Sequence, residues 1–321
     1  MSTYKVLYLN YAPFEVYEII RSQVPEGFEL ITLEQDDDQE RISKIQDVDF
    51  VLVATAKLTK EMLERAKRLK LIQHQGVGYD TTDIQTARRL NIPVAITPEG
   101  TSIGVAEHTI LLILAVYKRL IIAHNNLVCG NWLQFELRPS SYEMYGKTLG
   151  LIGFGRIGRE VAKRARSFDV HILYYDKYVK LSDNEKNNLG VEEATFEQLL
   201  TKSDIVSLHI PLTEETRGLI NDKTLKKMKP SAILINTARG GLVDEKALYT
   251  ALKNKLIAGA GLDVFEKEPP SSDNPLLHLD NVVLTPHIAA GTKDALITKM
   301  RAAFSNMVRL TKGEPPINLV L

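Results

Sequence analysis

The chain has 321 residues, 44% of them apolar, with 40 lysines and arginines against 40 aspartates and glutamates. Such a length suits two domains of about 150 residues, and the zero balance excludes a general attraction to nucleic acid or anionic membranes. The single cysteine, Cys129, excludes an internal disulfide and a cysteine-built zinc site, as suits a reducing cytoplasm.

The opening stretch MSTYKVLYLNYAPF has no basic segment leading into an apolar one, so no signal peptide is expected. Strands are expected at KVLYLN (5–10), FELITL (28–33), VDFVLVA (48–54) and LKLIQHQG (69–76). A helix is expected at LTKEMLERAKRL (58–69), where Glu61–Arg65 and Glu64–Arg68 stand at i,i+4. The run Asp36-Asp37-Asp38 reads as a solvated loop. Strands alternating with helices imply βαβ units and a parallel sheet.

A long helix is expected from about Ser102 to Asn125. Its most apolar run, ILLILAVY (110–117), is far short of the ~20 residues that cross a bilayer, and Lys118 and Arg119 follow it. A looser segment, Gly130 to Tyr145, holds the only tryptophan, Trp132. A second series of βαβ units then begins at KTLGLIGFG and runs through HILYYD, DIVSLHI, AILINTA, AGAGLDV and NVVLTPH. These almost continuous apolar strands suit a sheet covered on both faces. A final helix is expected at 292–310, followed by a short tail, and no appended regulatory domain is expected.

The stretch LGLIGFGRIGREVAKRARSFDVHILYYD (149–176) carries Gly153, Gly155 and Gly158 in the G-x-G-x-x-G spacing, after an apolar strand and before a helix. The first glycine permits a tight turn, the second lets backbone approach a pyrophosphate, and the third lets helix pack on strand. The helix start offers unpaired N–H groups and a positive dipole end to phosphates. Asp176 ends the next strand, 18 residues past Gly158, where a carboxylate accepts from ribose hydroxyls and repels a 2′-phosphate. That favours NAD over NADP, although Lys177 stands beside it. The fingerprint starts near residue 150, so another α/β domain precedes the cofactor domain.

Doubly wound sheets bind ligands at the carboxyl ends of their strands. There AILINTARGG delivers Arg239, AGLDVFEKEPP delivers Asp263 and Glu268, and VVLTPHIAAG delivers His287. Taken singly, each has a plainer reading: His287 as a polar strand end, Arg239 as a surface arginine, Glu268 as a solvated loop carboxylate, Asp263 as a helix cap. Together they suit hydride transfer at a 2-oxo acid. Arg239 supplies a planar fork for the substrate carboxylate. His287 supplies the proton for the carbonyl oxygen, and Glu268 would orient the ring.

At this point the sequence resembles the D-isomer-specific 2-hydroxyacid dehydrogenases. The likeness rests on QGVGYDTTD (75–83), TPEGTSIGVAEHT (97–109), GKTLGLIGFGRIG (146–158), SLHIPLTEETRGLI (207–220), INTARGGLVDEKAL (235–248), GAGLDVFEKEPP (259–270) and LTPHIAAGT (284–292), in the family's order. It implies that Arg239, Glu268 and His287 are catalytic. It implies further that Val77, Gly78 and Tyr79, with Arg239, bind substrate. The residues it implies for the cofactor are Gly153, Gly155, Arg156, Ile157, Gly158, Asp176, His209, Pro211, Thr216, Thr237, Ala238, Asp263, Ala289 and Thr109; no metal is implied.

The family fold would be α/β, two doubly wound parallel-sheet domains. A Rossmann cofactor domain (101–287) would be inserted into a flavodoxin-like substrate domain (1–100, completed by 288–321), with substrate in the cleft and a homodimer formed through the region after Ser102. The resemblance thus implies an NAD-dependent, cytoplasmic oxidoreductase interconverting a D-2-hydroxy acid and its 2-oxo acid. Tyr79 stands where smaller residues are common in phosphoglycerate-specific members, and Glu268 argues against the formate dehydrogenase branch. The segment NWLQFELRPSSYEM matches no subgroup. Rival readings are 3-phosphoglycerate dehydrogenase activity, an NAD-sensing corepressor-like binding protein, and related chemistry on a non-carbon centre such as phosphite.

Overall fold

A computed structural model describes residues 3–321. The chain divides into two units, one of Met1–Thr101 with Gly291–Leu321, the other of Ser102–Ala290. Each is built on a parallel sheet. In the first, the strands β1 (Tyr4–Tyr8), β2 (Phe28–Ile31), β3 (Phe50–Val53), β4 (Leu71–His74) and β5 (Val94–Ala95) lie in the order β2-β1-β3-β4-β5. In the second, β6 (Thr148–Ile152), β7 (His171–Tyr175), β8 (Val191–Glu193), β9 (Ile205–Leu208), β10 (Ile233–Asn236), β11 (Gly259–Leu262) and β12 (Val282–Leu284) lie in the order β12-β11-β10-β9-β6-β7-β8. These are the flavodoxin-like and Rossmann orders, so the expected fold class is the one observed.

The apolar runs make strands because both faces are buried. Along β10, Ile233 and Ile235 join one core cluster while Leu234 joins the cluster on the opposite face. The first sheet repeats the pattern, with Val51 and Val53 on one side and Phe50 and Leu52 on the other. Period-2 side-chain alternation thus serves two cores from one strand. In both sheets the strand order reverses beside the first strand, between β1 and β3 and between β6 and β9. The C-terminal segment belongs to the first unit: Leu319 pairs antiparallel with Ala95 beyond β5.

Several local expectations need correction. The helix expected at 58–69 spans only Lys60–Arg65, because Ala66 turns out of the helical region at ψ 70. Arg65 therefore pairs with Glu61 at 2.8 Å, but Glu64 turns to Arg89 at 2.6 Å and Arg68 to Asp47 at 2.8 Å. The acidic run is exposed, as expected, with Asp36 and Asp37 in the loop before a helix, but its carboxylates are also used structurally. Asp37 caps the helix Asp38–Lys44 by accepting from Glu40 N, while Asp36 and Asp38 both pair with the buried Arg41.

The single helix expected from Ser102 to Asn125 is two, Ser102–Tyr117 and Leu120–Val128, divided at Arg119 in the left-handed region. The Tyr117 carbonyl accepts from the amide of Tyr142 at 2.9 Å, so an outside strand of chain takes the bond that would continue the helix. Two short strands, β5 and β8, went unread because two or three residues cannot show a period. Among the described residues no helix is long and apolar enough to cross a membrane.

Candidate active site

The second unit brings its polar strand-end residues to one sheet edge. The turn after β6 holds Gly153 at φ 98, where a Cβ would stand 2.5 Å from the His209 carbonyl oxygen at the end of β9. A Cβ on Gly158 would stand 2.3 Å from the Gly153 oxygen. Both must be glycine. A Cβ on Gly155, by contrast, would meet nothing within 4 Å, and this residue caps the helix Arg156–Ala165 without any side-chain hydrogen bond. Open space in front of unpaired helix amides is what a pyrophosphate needs, so the turn fits a dinucleotide. Arg156 is exposed there, while Ile157 packs onto the core.

Asp176 stands at the end of β7 and binds this turn directly. One carboxylate oxygen accepts from Phe154 N at 2.7 Å, the other from Tyr178 N and Val179 N at 2.8 and 2.9 Å. Lys177 pairs with Glu215 at 2.5 Å. His209 lies on the neighbouring strand end with Nε2 at 2.9 Å from Ser207 Oγ; its Nδ1 is buried without a partner. Burial pushes the His209 imidazole down to about 3. Thr216 folds the following loop, donating from Oγ1 to the Pro211 carbonyl at 2.8 Å.

After β10 the backbone turns sharply. Asn236 donates to the Arg239 carbonyl at 2.9 Å and accepts from Ala238 N at 3.1 Å. Thr237 and Thr109 are buried, with their hydroxyls 3.0 Å apart. Arg239 donates from Nη1 to the Ala238 carbonyl at 2.7 Å. A Cβ on Gly240 would stand 1.9 Å from the Phe265 carbonyl carbon, so this loop lies directly on the segment that carries Glu268.

His287 and Glu268 meet. Nδ1 of the ring lies 2.7 Å from Glu268 Oε2, and Glu268 Oε1 accepts from Phe265 N at 3.1 Å. Burial works to raise the Glu268 carboxyl, but the His287 bond and charge, the Phe265 amide and the Arg239 charge outweigh it and hold it below the usual range. His287 itself sits at φ 55, a left-handed conformation that a non-glycine residue adopts only when its surroundings impose it.

Asp263, fully buried, imposes it. Its carbonyl accepts from His287 N at 2.8 Å, and its carboxylate accepts from Thr285 Oγ1, Ile288 N and Ala289 N at 2.6, 2.9 and 2.8 Å. Asp263 is therefore a brace of the His287 turn and not the helix cap that it resembles in sequence. Asn236 and Thr285 braced the loops unnoticed, since a lone amide or hydroxyl at a strand end gives no spacing to read. Val77, Gly78 and Tyr79 lie in the first unit, in the loop after β4, with Val77 and Tyr79 exposed. That loop is anchored by Tyr8, whose hydroxyl donates to Gln75 Oε1 at 2.8 Å. Among the described residues no group of three or more His, Cys, Asp or Glu is placed to hold a metal ion.

Residues 110–289 match the family described as D-isomer specific 2-hydroxyacid dehydrogenase, NAD binding domain. The glyoxylate reductase of Korarchaeum cryptofilum is 41% identical over 312 residues, 95% of this chain and 93% of that protein. The D-3-phosphoglycerate dehydrogenase of Archaeoglobus fulgidus is 42% identical over 283 residues, 88% of this chain; the chain spans about half of that relative, 53% of its length. Among solved structures, the NAD-complexed D-isomer specific 2-hydroxyacid dehydrogenase of Lactobacillus delbrueckii ssp. bulgaricus is 26% identical with a TM-score of 0.78, covering 99% of this chain and 100% of that one.

Proposed function

Since this chain belongs to the D-isomer-specific 2-hydroxyacid dehydrogenase family, we propose that it interconverts a D-2-hydroxy acid and its 2-oxo acid with NAD. The observation that carries the proposal is the 2.7 Å contact of His287 Nδ1 with a Glu268 carboxylate that also feels Arg239. With Nδ1 committed to Glu268, Nε2 is the nitrogen that gives a proton to the substrate oxygen and takes it back in the reverse direction. Glu268 fixes the ring plane and offsets the charge of the imidazolium. Arg239 holds the substrate carboxylate or carbonyl with its fork. The nicotinamide, when bound, donates or accepts the hydride.

Val77, Gly78 and Tyr79 are assigned to substrate through the family loop that they match. Gly153, Gly155, Arg156, Ile157 and Gly158 are assigned to the pyrophosphate and Asp176 to the ribose. His209, Pro211, Thr216, Thr237, Ala238, Thr109, Asp263 and Ala289 are assigned to the rest of the cofactor site. The preferred substrate is a small unphosphorylated acid. The loops after β1, β3, β4 and β5 (9–13, 54–59, 75–83 and 96–101) carry one lysine, Lys57, against Asp80, Asp83 and Glu99, a poor setting for a phosphate. The helix Leu120–Val128 buries none of its residues and exposes Leu120, Ile121, Leu127 and Val128, which supports a homodimer through this region.

NADH oxidation by purified protein against glyoxylate, hydroxypyruvate, pyruvate, longer 2-oxo acids and 3-phosphohydroxypyruvate tests the reading. Turnover fastest with an unphosphorylated acid supports it. No oxidation across the series, by protein that still binds NADH, overturns it.

A further inference from the structure

His108, on the helix Ser102–Tyr117, plays no part in the assignments above. Its side chain is 10% exposed, with Nε2 at 2.8 Å from Thr285 Oγ1 and 3.5 Å from Asp263 Oδ1. Thr285 has one hydroxyl hydrogen, and at 2.6 Å it goes to the Asp263 carboxylate. Toward His108 the same oxygen can then only accept, so His108 Nε2 carries a hydrogen. The helix touches the turn a second time at Gly104, where a Cβ would stand 3.1 Å from the Ala289 carbonyl oxygen. Asp263, at the centre, holds the left-handed backbone of His287 through its carbonyl and the next two residues through its carboxylate.

We propose that His108 is a positioning residue for His287: by donating through Thr285 to the Asp263 carboxylate, it locks the 285–289 turn and offsets the buried charge beneath it. The proposal rests on the reading of His287 as the proton carrier. The charged and titratable groups nearest His108 are Asp263 at the end of β11, 3.5 Å from Nε2, and Glu107 beside it in the chain; the His287–Glu268 pair begins two residues past Thr285. Glu107 pairs with Arg164 of the helix Arg156–Ala165 at 3.5 Å. Burial holds the His108 ring below its ordinary value against the pull of Asp263, so near neutral pH it acts as a neutral donor.

The test compares His108→Leu, which loses the donor, with His108→Gln, which keeps a side-chain N–H, and with Thr285→Val, which cuts the tie from the other side. kcat with the best 2-oxo acid and the NADH Kd are followed from pH 5.5 to 9. His108→Leu and Thr285→Val are expected to lower kcat roughly 10- to 100-fold, the cost of a slightly misplaced catalytic group, with the Kd for NADH within about twofold. The His287-dependent limb should move to higher pH, because the Asp263 carboxylate, left with the Ile288 and Ala289 amides but a weakened or absent Thr285 donor, favours the imidazolium more strongly. His108→Gln should restore rate and limb together. Loss of rate with an unmoved limb, or wild-type kcat in both cut variants, overturns the proposal. If wild-type protein turns over no 2-oxo acid, or His287→Ala is as active as wild type, the catalytic reading itself fails and takes this proposal with it.

Discussion

The two sheets share parallel strands, two-sided cores and a reversal of strand order beside the first strand, yet their carboxyl edges differ. The edge of the first is tied largely by neutral groups, Tyr8 to Gln75, and Asn10 to Thr55 at 3.0 Å and to the amide of Ala54 at 2.9 Å, with Arg41 donating to the Leu9 carbonyl at 3.0 Å. The edge of the second gathers a buried carboxylate, a left-handed histidine and a glycine that admits no Cβ. Topology supplies a crevice in both. The first edge also holds a buried charge, Arg41, but its guanidinium is engaged by the Leu9 carbonyl and by Asp36 and Asp38, whereas only the second edge sets a buried carboxylate beneath a left-handed histidine.

The sharpest way to break this contrast is to remove the group on which it turns. His287→Ala is expected to lower kcat about 10²–10⁴-fold, the range for a general acid–base residue, with NADH binding kept in a fluorescence titration. Wild-type turnover in that variant would leave the second edge no more catalytic than the first.

A pair of glycine substitutions separates strain from open space within the second unit. Gly240→Ala meets the Phe265 backbone at 1.9 Å, so its thermal midpoint should fall, by about 1–3 kcal/mol of stability or more. Gly155→Ala meets nothing within 4 Å and should keep the midpoint while weakening NADH binding. Equal midpoints would contradict the close approach of the Arg239 loop to the Glu268 segment.

The units should also respond to opposite ends of the pH scale. Folded His209 titrates at about 3 instead of 6.5, so below pH 6.5 the unfolded chain binds a proton that the folded one does not. Stability then falls from pH 6.5 toward 3, on the order of a few kcal/mol, and His209→Gln should flatten the decline. Glu268, held low, adds a loss as pH falls below its unfolded 4.5. In the first unit Lys299, 4% exposed, titrates at about 8 instead of 10.5. Between those values only the unfolded chain holds the extra proton, so stability rises with pH, and Lys299→Met should abolish the rise. Thermal unfolding from pH 4 to 10 reads both, and a decline toward acid unchanged in His209→Gln would remove His209 as its cause.

Read by itself, the sequence determined the longer strands of both sheets and the cofactor turn, but not the short β5 and β8. Apolar runs, glycine spacing and polar strand ends are local patterns, and each follows from a short-range requirement: burial on two faces, room for a backbone, a turn beside a ligand. It also determined which strand ends carry Arg239, Glu268 and His287. The rest was decided by contacts between residues far apart in the chain. Tyr142 ends a helix at Tyr117, Arg89 draws Glu64 away from Arg68, and Arg41 collects an acidic run that reads as solvated loop. Asp263, Thr285 and His108 form the brace of His287 only because a helix 177 residues before Thr285 lies against that turn. Hydrogen bonds depend on separation in space, and no periodicity along the chain records a partner that distant.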